Sequence, residues 1–186
     1  MKILAISGSA RQASTNTALL RALSTIAPDH ITIDVFDGVG DLPVFSPDRE
    51  GLHLPDSVGT FARLVSQNDG LLVASPEYVR SIPGGLKNAI DWLVSGEQVV
   101  GKPIALVHAS HRGDDMLASL RTVLSTISAN FNRDLFLRFP LMKETPEAIL
   151  ELMKAPANRS LAEQFLRDFA FFCQNHRNNG PSSISL

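Results

Sequence analysis

The chain has 186 residues, 44% of them hydrophobic, which suffices for the core of one ordinary domain. Its formal net charge of −2 excludes a broad basic face for nucleic acid, and no apolar run approaches the length of a membrane span. The lone Cys173 excludes an internal disulfide and fits a reducing compartment; with no secretory-leader layout ahead of the first strand, a soluble cytoplasmic protein is expected.

In chain order, the apolar run over 3–6 predicts a first strand, and Leu19, Leu20, Leu23 and Ile26 predict the core face of a first helix. Between them lie Gly8, Ser9, Ala10, Arg11, Gln12, Ala13, Ser14, Thr15 and Asn16. A strand–loop–helix of this composition suits a phosphate. The helix end offers unpaired N–H groups and partial positive charge, the hydroxyls and the amide add donors, and Arg11 adds a full charge. It is not a dinucleotide fingerprint, because Ala10 and Ala13 stand where glycines are needed, and it lacks the Gly-Lys-Ser/Thr ending of an ATP-binding loop. A plainer reading stays open, in which Ser14 or Thr15 caps the helix and Arg11 is a solvated surface charge.

The β-branched run over 31–36 predicts a second strand, residues 37–57 a long loop, and Val58, Phe61, Ala62 and Val65 a second helix. A buried third strand is expected over 71–74 and a third helix from near Pro83 to Trp92. Residues 104–108 predict a fourth strand, and Met116, Leu117, Leu120, Val123, Leu124 and Ile127 stripe a fourth helix. A fifth strand is expected over 135–137, then helices over 146–154 and 158–174 and a loose tail over 175–186. Residues 1–174 read as a single domain. Strands alternating with helices imply a parallel sheet covered on both faces, with its ligand at the C-terminal strand edge. The loops after strands one, three and four should therefore share one site.

The second of these loops carries Pro76, Glu77, Tyr78, Val79, Arg80, Ser81, Ile82, Pro83, Gly84, Gly85, Leu86, Lys87, Asn88, Ala89, Ile90, Asp91 and Trp92. Here the chain resembles the NADPH-dependent FMN reductase family. Its pattern joins a Gly-Ser-x-Arg-x-x-Ser-x-Asn loop, matched at Gly8, Ser9, Arg11, Ser14 and Asn16, to this second segment, matched at every fixed position but one. The resemblance covers roughly residues 1–140, and the paired motifs are more specific than either alone.

The resemblance implies a flavodoxin-like three-layer α/β sandwich with five parallel strands in the order 2-1-3-4-5. It implies that Ser9, Arg11, Ser14, Thr15 and Asn16 hold the FMN phosphate and that Pro76, Glu77, Tyr78, Val79, Arg80 and Ser81 line its ring, largely through backbone groups. It also implies NADPH or NADH as co-substrate, a small-molecule electron acceptor such as a quinone or free flavin, and a homodimer or homotetramer. Lys87, Asp91 and Trp92 then read as structural or interfacial. FMN carries such chemistry, so no side chain need be acid, base or nucleophile. His30, His53 and His176 show no metal-ligand spacing.

Two departures stand out. Val79 replaces the usual Asn, and Arg80 after it is either a charge near the flavin or a solvated one. The third loop, Ser110, His111, Arg112 and Gly113, keeps one glycine of a usually glycine-rich turn. His111 and Arg112 either contact the flavin edge or the NADPH 2′-phosphate, or belong to a helix start in which Asp114 or Asp115 caps and Arg112 pairs with them. His108, closing a buried strand, reads as a hydrogen-bonded core histidine. Two other functions remain open: a flavin-binding electron carrier, and a flavin-free regulatory or anion-binding module.

Overall fold

A computed structural model of the chain describes residues 1–177. Five parallel strands, β1 (Lys2–Ser7), β2 (Thr32–Phe36), β3 (Gly70–Ala74), β4 (Ile104–His108) and β5 (Phe131–Arg138), form one sheet in the order β2-β1-β3-β4-β5. The helices are α1 (Thr15–Ile26), α2 (Asp56–Gln67), α3 (Gly84–Asp91), α4 (Asp114–Ile127), α5 (Pro146–Lys154) and α6 (Pro156–Arg177).

Alternation along each strand splits the core in two. Ile3, Ala5, Leu72, Ala74, Ala105 and Val107 face one side, where α1, α5 and α6 cover them. Leu4, Ile6, Leu71, Val73, Ile104 and Leu106 face the other, beneath α2, α3 and α4. The central strands are thus apolar on both faces, as the uninterrupted runs in the sequence require. The order reverses between β1 and β3, because the chain leaves β1 toward β2 and returns to β3 on the other side. The crevice at that switch point is where ligands of such sheets bind.

The elements depart from the sequence expectations at their ends. β5 starts four residues before the expected strand, whose apolar pattern does not extend into the polar stretch over 132–134. Asn132 Oδ1 accepts from the backbone N–H groups of Asp134 and Leu135, both at 3.0 Å, shaping an irregularity in the pairing with β4. Helix α3 begins at Gly84, with Pro83 outside it as the N-cap residue. The long loop contains two 3₁₀ turns, Pro47–Arg49 and Gly51–His53. Residues 175–177 of the expected tail continue α6; 178–186 lie outside the described residues.

The second motif explains how that long loop is held. Asn88 Nδ2 donates to the carbonyls of Leu42 (3.4 Å) and Pro43 (3.0 Å), while its Oδ1 accepts from Phe45 N–H at 2.8 Å. Trp92 Nε1 donates to Pro43 O at 2.7 Å, and its ring meets Phe45 edge-on. Lys87 pairs with Asp91 one helical turn away, at 2.5 Å.

Candidate functional site

A cleft of about 360 Å³ opens at the C-terminal strand edge. It is lined by residues of the three expected loops: Ser9, Arg11, Ser14, Thr15 and Asn16 from the first, Pro76, Glu77 and Tyr78 from the second, and Ser110, Arg112 and Gly113 from the third. His108 and Met142 complete the wall. Val79, Arg80, Ser81 and His111 lie off it, at the exposed tips of their loops.

At the α1 end the local structure and the donor set agree. Ser14 is the N-cap, its Oγ accepting from Thr17 N–H at 3.3 Å. The capping reading of the sequence therefore holds, yet it does not consume the hydroxyl. An oxygen that accepts from the backbone still has its own proton to donate. Ser9 stands likewise, its Oγ accepting from Arg11 N–H at 3.2 Å. Helix geometry directs the amides of Thr15 and Asn16 out of the helix end toward the cleft both residues line. Asn16 Oδ1 accepts from Ala109 N–H at 3.1 Å, tying the first loop to the third and leaving its NH₂ group for the cleft. No carboxylate lines this end of the cleft. Close approach is built in beside it: a Cβ on Gly8 would stand 2.7 Å from Leu86 Cδ2. A set of hydroxyl and amide donors with one guanidinium fits a phosphate monoester.

The opposite end is held by a polar network across the second and third loops. Tyr78 and Ser81 exchange backbone hydrogen bonds at 3.1 and 3.0 Å, closing a two-residue turn. Val79 (φ 51°) and Arg80 (φ 57°) at its tip are both left-handed. This is the geometry of a type I′ turn, which favours Asn and Gly. Asparagine is what the resemblance leads one to expect at 79, so the departure costs backbone strain as well as an amide. Val79 is 97% exposed and recovers nothing by packing.

Glu77 Oε2 accepts from Met116 N–H at 3.3 Å, so a residue of the second loop caps α4. The reading in which Asp114 or Asp115 caps α4 and pairs with Arg112 is overturned. Gly113, at φ 100°, is the N-cap residue. Asp115 pairs with Arg80 at 2.6 Å, and Asp114 with Arg138 at 2.8 Å. Arg80, exposed and paired, has its pKa raised, foremost by the hydrogen bond it donates to Asp115.

His108 is fully buried and bridges the two loops. Its Nε2 lies 2.6 Å from Arg112 O and its Nδ1 3.1 Å from Ser75 O. A neutral ring has one N–H, and the shorter distance assigns it to Nε2. Its pKa is lowered, chiefly by burial and further by the Arg138 charge, against the raising effect of the hydrogen bonds and of Asp114. Sequence reasoning placed His108 in the core but missed its place on the cleft wall. The available signal was its position as the last residue of β4, at the edge where the site forms. Arg138 was missed altogether, because its role depends on β5 ending beside the third loop.

Three comparisons bear on this geometry. The family model for NADPH-dependent FMN reductase matches residues 1–138. A quinone reductase of Escherichia coli K12 is 36% identical over 116 residues, 61% of this chain and 61% of that protein. A 2-hydroxy-1,4-benzoquinone reductase of a Burkholderia species is 40% identical over 113 residues, 59% of this chain and 61% of that one. These matches thus span under two thirds of either relative. Among solved structures, the FerB NAD(P)H:acceptor oxidoreductase of Paracoccus denitrificans superposes with a TM-score of 0.73 at 24% identity, covering 94% of this chain and 98% of that chain. Oxidised flavodoxin 1 of Bacillus cereus does so at 0.58 and 17% identity, covering 92% and 98%. These likenesses establish the flavodoxin-like fold. With both motifs in place on one cleft and the family model matched through the end of β5, the chain belongs to the NADPH-dependent FMN reductase family.

Proposed function

We propose that this protein is an FMN-dependent NAD(P)H oxidoreductase acting on quinones or other small acceptors. The observation that carries the reading is one continuous cleft with a phosphate-type donor set at the α1 end and Pro76, Glu77 and Tyr78 of the second family motif at the other. Ser9, Arg11, Ser14, Thr15 and Asn16 bind the FMN phosphate. Pro76, Glu77, Tyr78, Ser110, Arg112 and Gly113 of the cleft wall would hold the flavin ring, and Val79, Arg80, Ser81 and His111, at the loop tips beside the cleft, would flank it. Bound FMN supplies the two-electron exchange between nicotinamide and acceptor. The balance is one NAD(P)H and one proton consumed per quinone reduced to hydroquinone. The protein's own residues position and enclose. Glu77 holds the start of α4, and His108 and Arg138 hold the third loop. The names of the two enzyme relatives support a quinone as acceptor.

A homodimer or homotetramer in the cytoplasm completes the proposal. Exposed Val94 and Val100, at 60% and 55%, leave apolar surface for a second copy. Among the described residues no helix is long and apolar enough to cross a membrane.

The test is anaerobic spectroscopy of FMN-loaded protein. Adding NADPH or NADH is expected to bleach the flavin bands, and a quinone to restore them. Flavin that binds but stays oxidised with both nicotinamides would contradict the enzymatic reading and favour an electron carrier.

A further inference from the structure

The third loop takes its shape from a side chain of β5. Arg138 turns its whole guanidinium onto that loop: Nε donates to Ser110 O at 2.5 Å, Nη2 to Arg112 O at 3.0 Å, and Nη1 to Asp114 Oδ1 at 2.8 Å. His108 Nε2 donates to the same Arg112 carbonyl at 2.6 Å. No peptide bond among the described residues is cis, and a trans peptide points its N–H opposite to its C=O. Holding the carbonyls of Ser110 and Arg112 therefore fixes the amides of His111 and Gly113, which point away from Arg138. Gly113 is buried and lines the cleft, yet among the described residues its N–H has no partner. A buried N–H left unpaired is rare in a folded protein. Nor can a side chain stand over it, since φ is 100° and a Cβ would lie 2.9 Å from His108 Nε2.

We propose that Arg138 is a positioning residue for the flavin reaction: by holding the Ser110 and Arg112 carbonyls it aims the Gly113 amide at the acceptor atoms of the flavin ring, and so sets how strongly the protein prefers reduced FMN. This inference rests on the FMN reading above. The oxidised ring presents neutral carbonyl oxygens and ring nitrogens. Reduction by hydride, with N1 deprotonated, leaves a negative charge shared between N1 and the carbonyl oxygens. A hydrogen bond to a charged acceptor is stronger than one to a neutral acceptor. An amide aimed there holds the reduced ring more tightly than the oxidised one and raises the potential. Arg138 needs no contact with the flavin, because its Nε, Nη1 and Nη2 are all engaged with the loop and the start of α4.

The test reads the midpoint potential of FMN bound to wild type, Arg138→Gln, Arg138→Lys and Asp114→Asn, reduced alongside a reference dye at constant pH, with the Tm of each protein. Arg138→Gln should lower the potential by about 30 mV, the two-electron equivalent of a tenfold fall in the affinity ratio of reduced over oxidised FMN. Arg138→Lys keeps the charge and loses the planar fork, so it should fall with Arg138→Gln. Asp114→Asn leaves both carbonyl bonds in place and should not lower the potential. In amide NMR spectra, the Gly113 resonance should move when FMN is added to wild type, and much less in Arg138→Gln.

An unchanged potential in Arg138→Gln overturns the proposal even if the Tm falls, since Arg138 then serves the fold alone. A wild-type potential in Arg138→Lys also overturns it, because the charge would then act through space. So does a Gly113 resonance that FMN leaves in place. Should Arg138→Gln fail to fold, Arg138→Lys and the wild-type resonance decide. Wild type that takes up no FMN overturns both this inference and the function beneath it. Wild type that NADPH bleaches, with one potential shared by all four proteins, overturns this inference alone.

Discussion

At the residue scale, most polar side chains of the cleft serve the fold and the ligand site at once. Ser14 caps α1, Asn16 ties two loops, and Glu77 caps α4, while all three line the cleft. Sequence alone presented such roles as alternatives, cap or ligand, because one-dimensional spacing does not show that a hydroxyl or an amide has groups for both. His108 carries a testable consequence of the same kind. Its pKa in the folded protein lies below the ordinary 6.5, mainly through burial. Unfolding restores the ordinary value, so under acidic conditions the unfolded chain binds a proton that the native one resists. The sign is destabilisation as pH falls below 6.5. The Tm should drop between about pH 7.5 and about pH 5.5, and His108→Gln should flatten that slope. Parallel slopes in the two proteins would show that other groups set the acid limit. Ser75 and Arg112 face His108 with carbonyls, and Arg138 and Asp114 are the charges that act on it.

At the element scale, the turn through Val79 and Arg80 is where, among the described residues, non-glycine backbone takes the left-handed conformation against local preference. A β-branched residue at φ 51° is a genuine outlier. The substitution of Val for Asn was legible in the sequence; its backbone cost was not, since the turn type depends on the pairing of Tyr78 with Ser81. Val79→Asn should raise stability by about 1 kcal/mol, because Asn tolerates the left-handed region and almost no packing is lost. Equilibrium denaturation checks this; unchanged or lower stability would mean that the turn relaxes out of the left-handed region at no cost. Strand and helix identities were readable from periodicity and β-branching. Ends were not, where one side chain such as Asn132 sets the boundary. Of Lys87, Asp91 and Trp92, which the sequence presents as structural or interfacial, Trp92 has a specific structural part: together with Asn88, for which the sequence suggested no role, it fastens the long loop to α3.

At the scale of the whole molecule, the parallel sheet and its two helical layers follow from strands apolar on both faces. The reversal between β1 and β3 then determines where the three loops converge. That much of the site could be expected from chain order alone. What chain order does not contain is the contribution of β5, whose Arg138 reaches the third loop only once the sheet is assembled. The central claim is that this convergence forms an FMN site whose phosphate rests at the N-terminus of α1. The most direct measurement is a fluorescence titration of the apoprotein with FMN and with riboflavin, which lacks the phosphate, repeated for Arg11→Ala. FMN should bind at least about tenfold more tightly than riboflavin, and Arg11→Ala should weaken FMN about tenfold while leaving riboflavin nearly unaffected. Equal affinities for the two flavins, or an Arg11→Ala variant that binds FMN as wild type does, would contradict it.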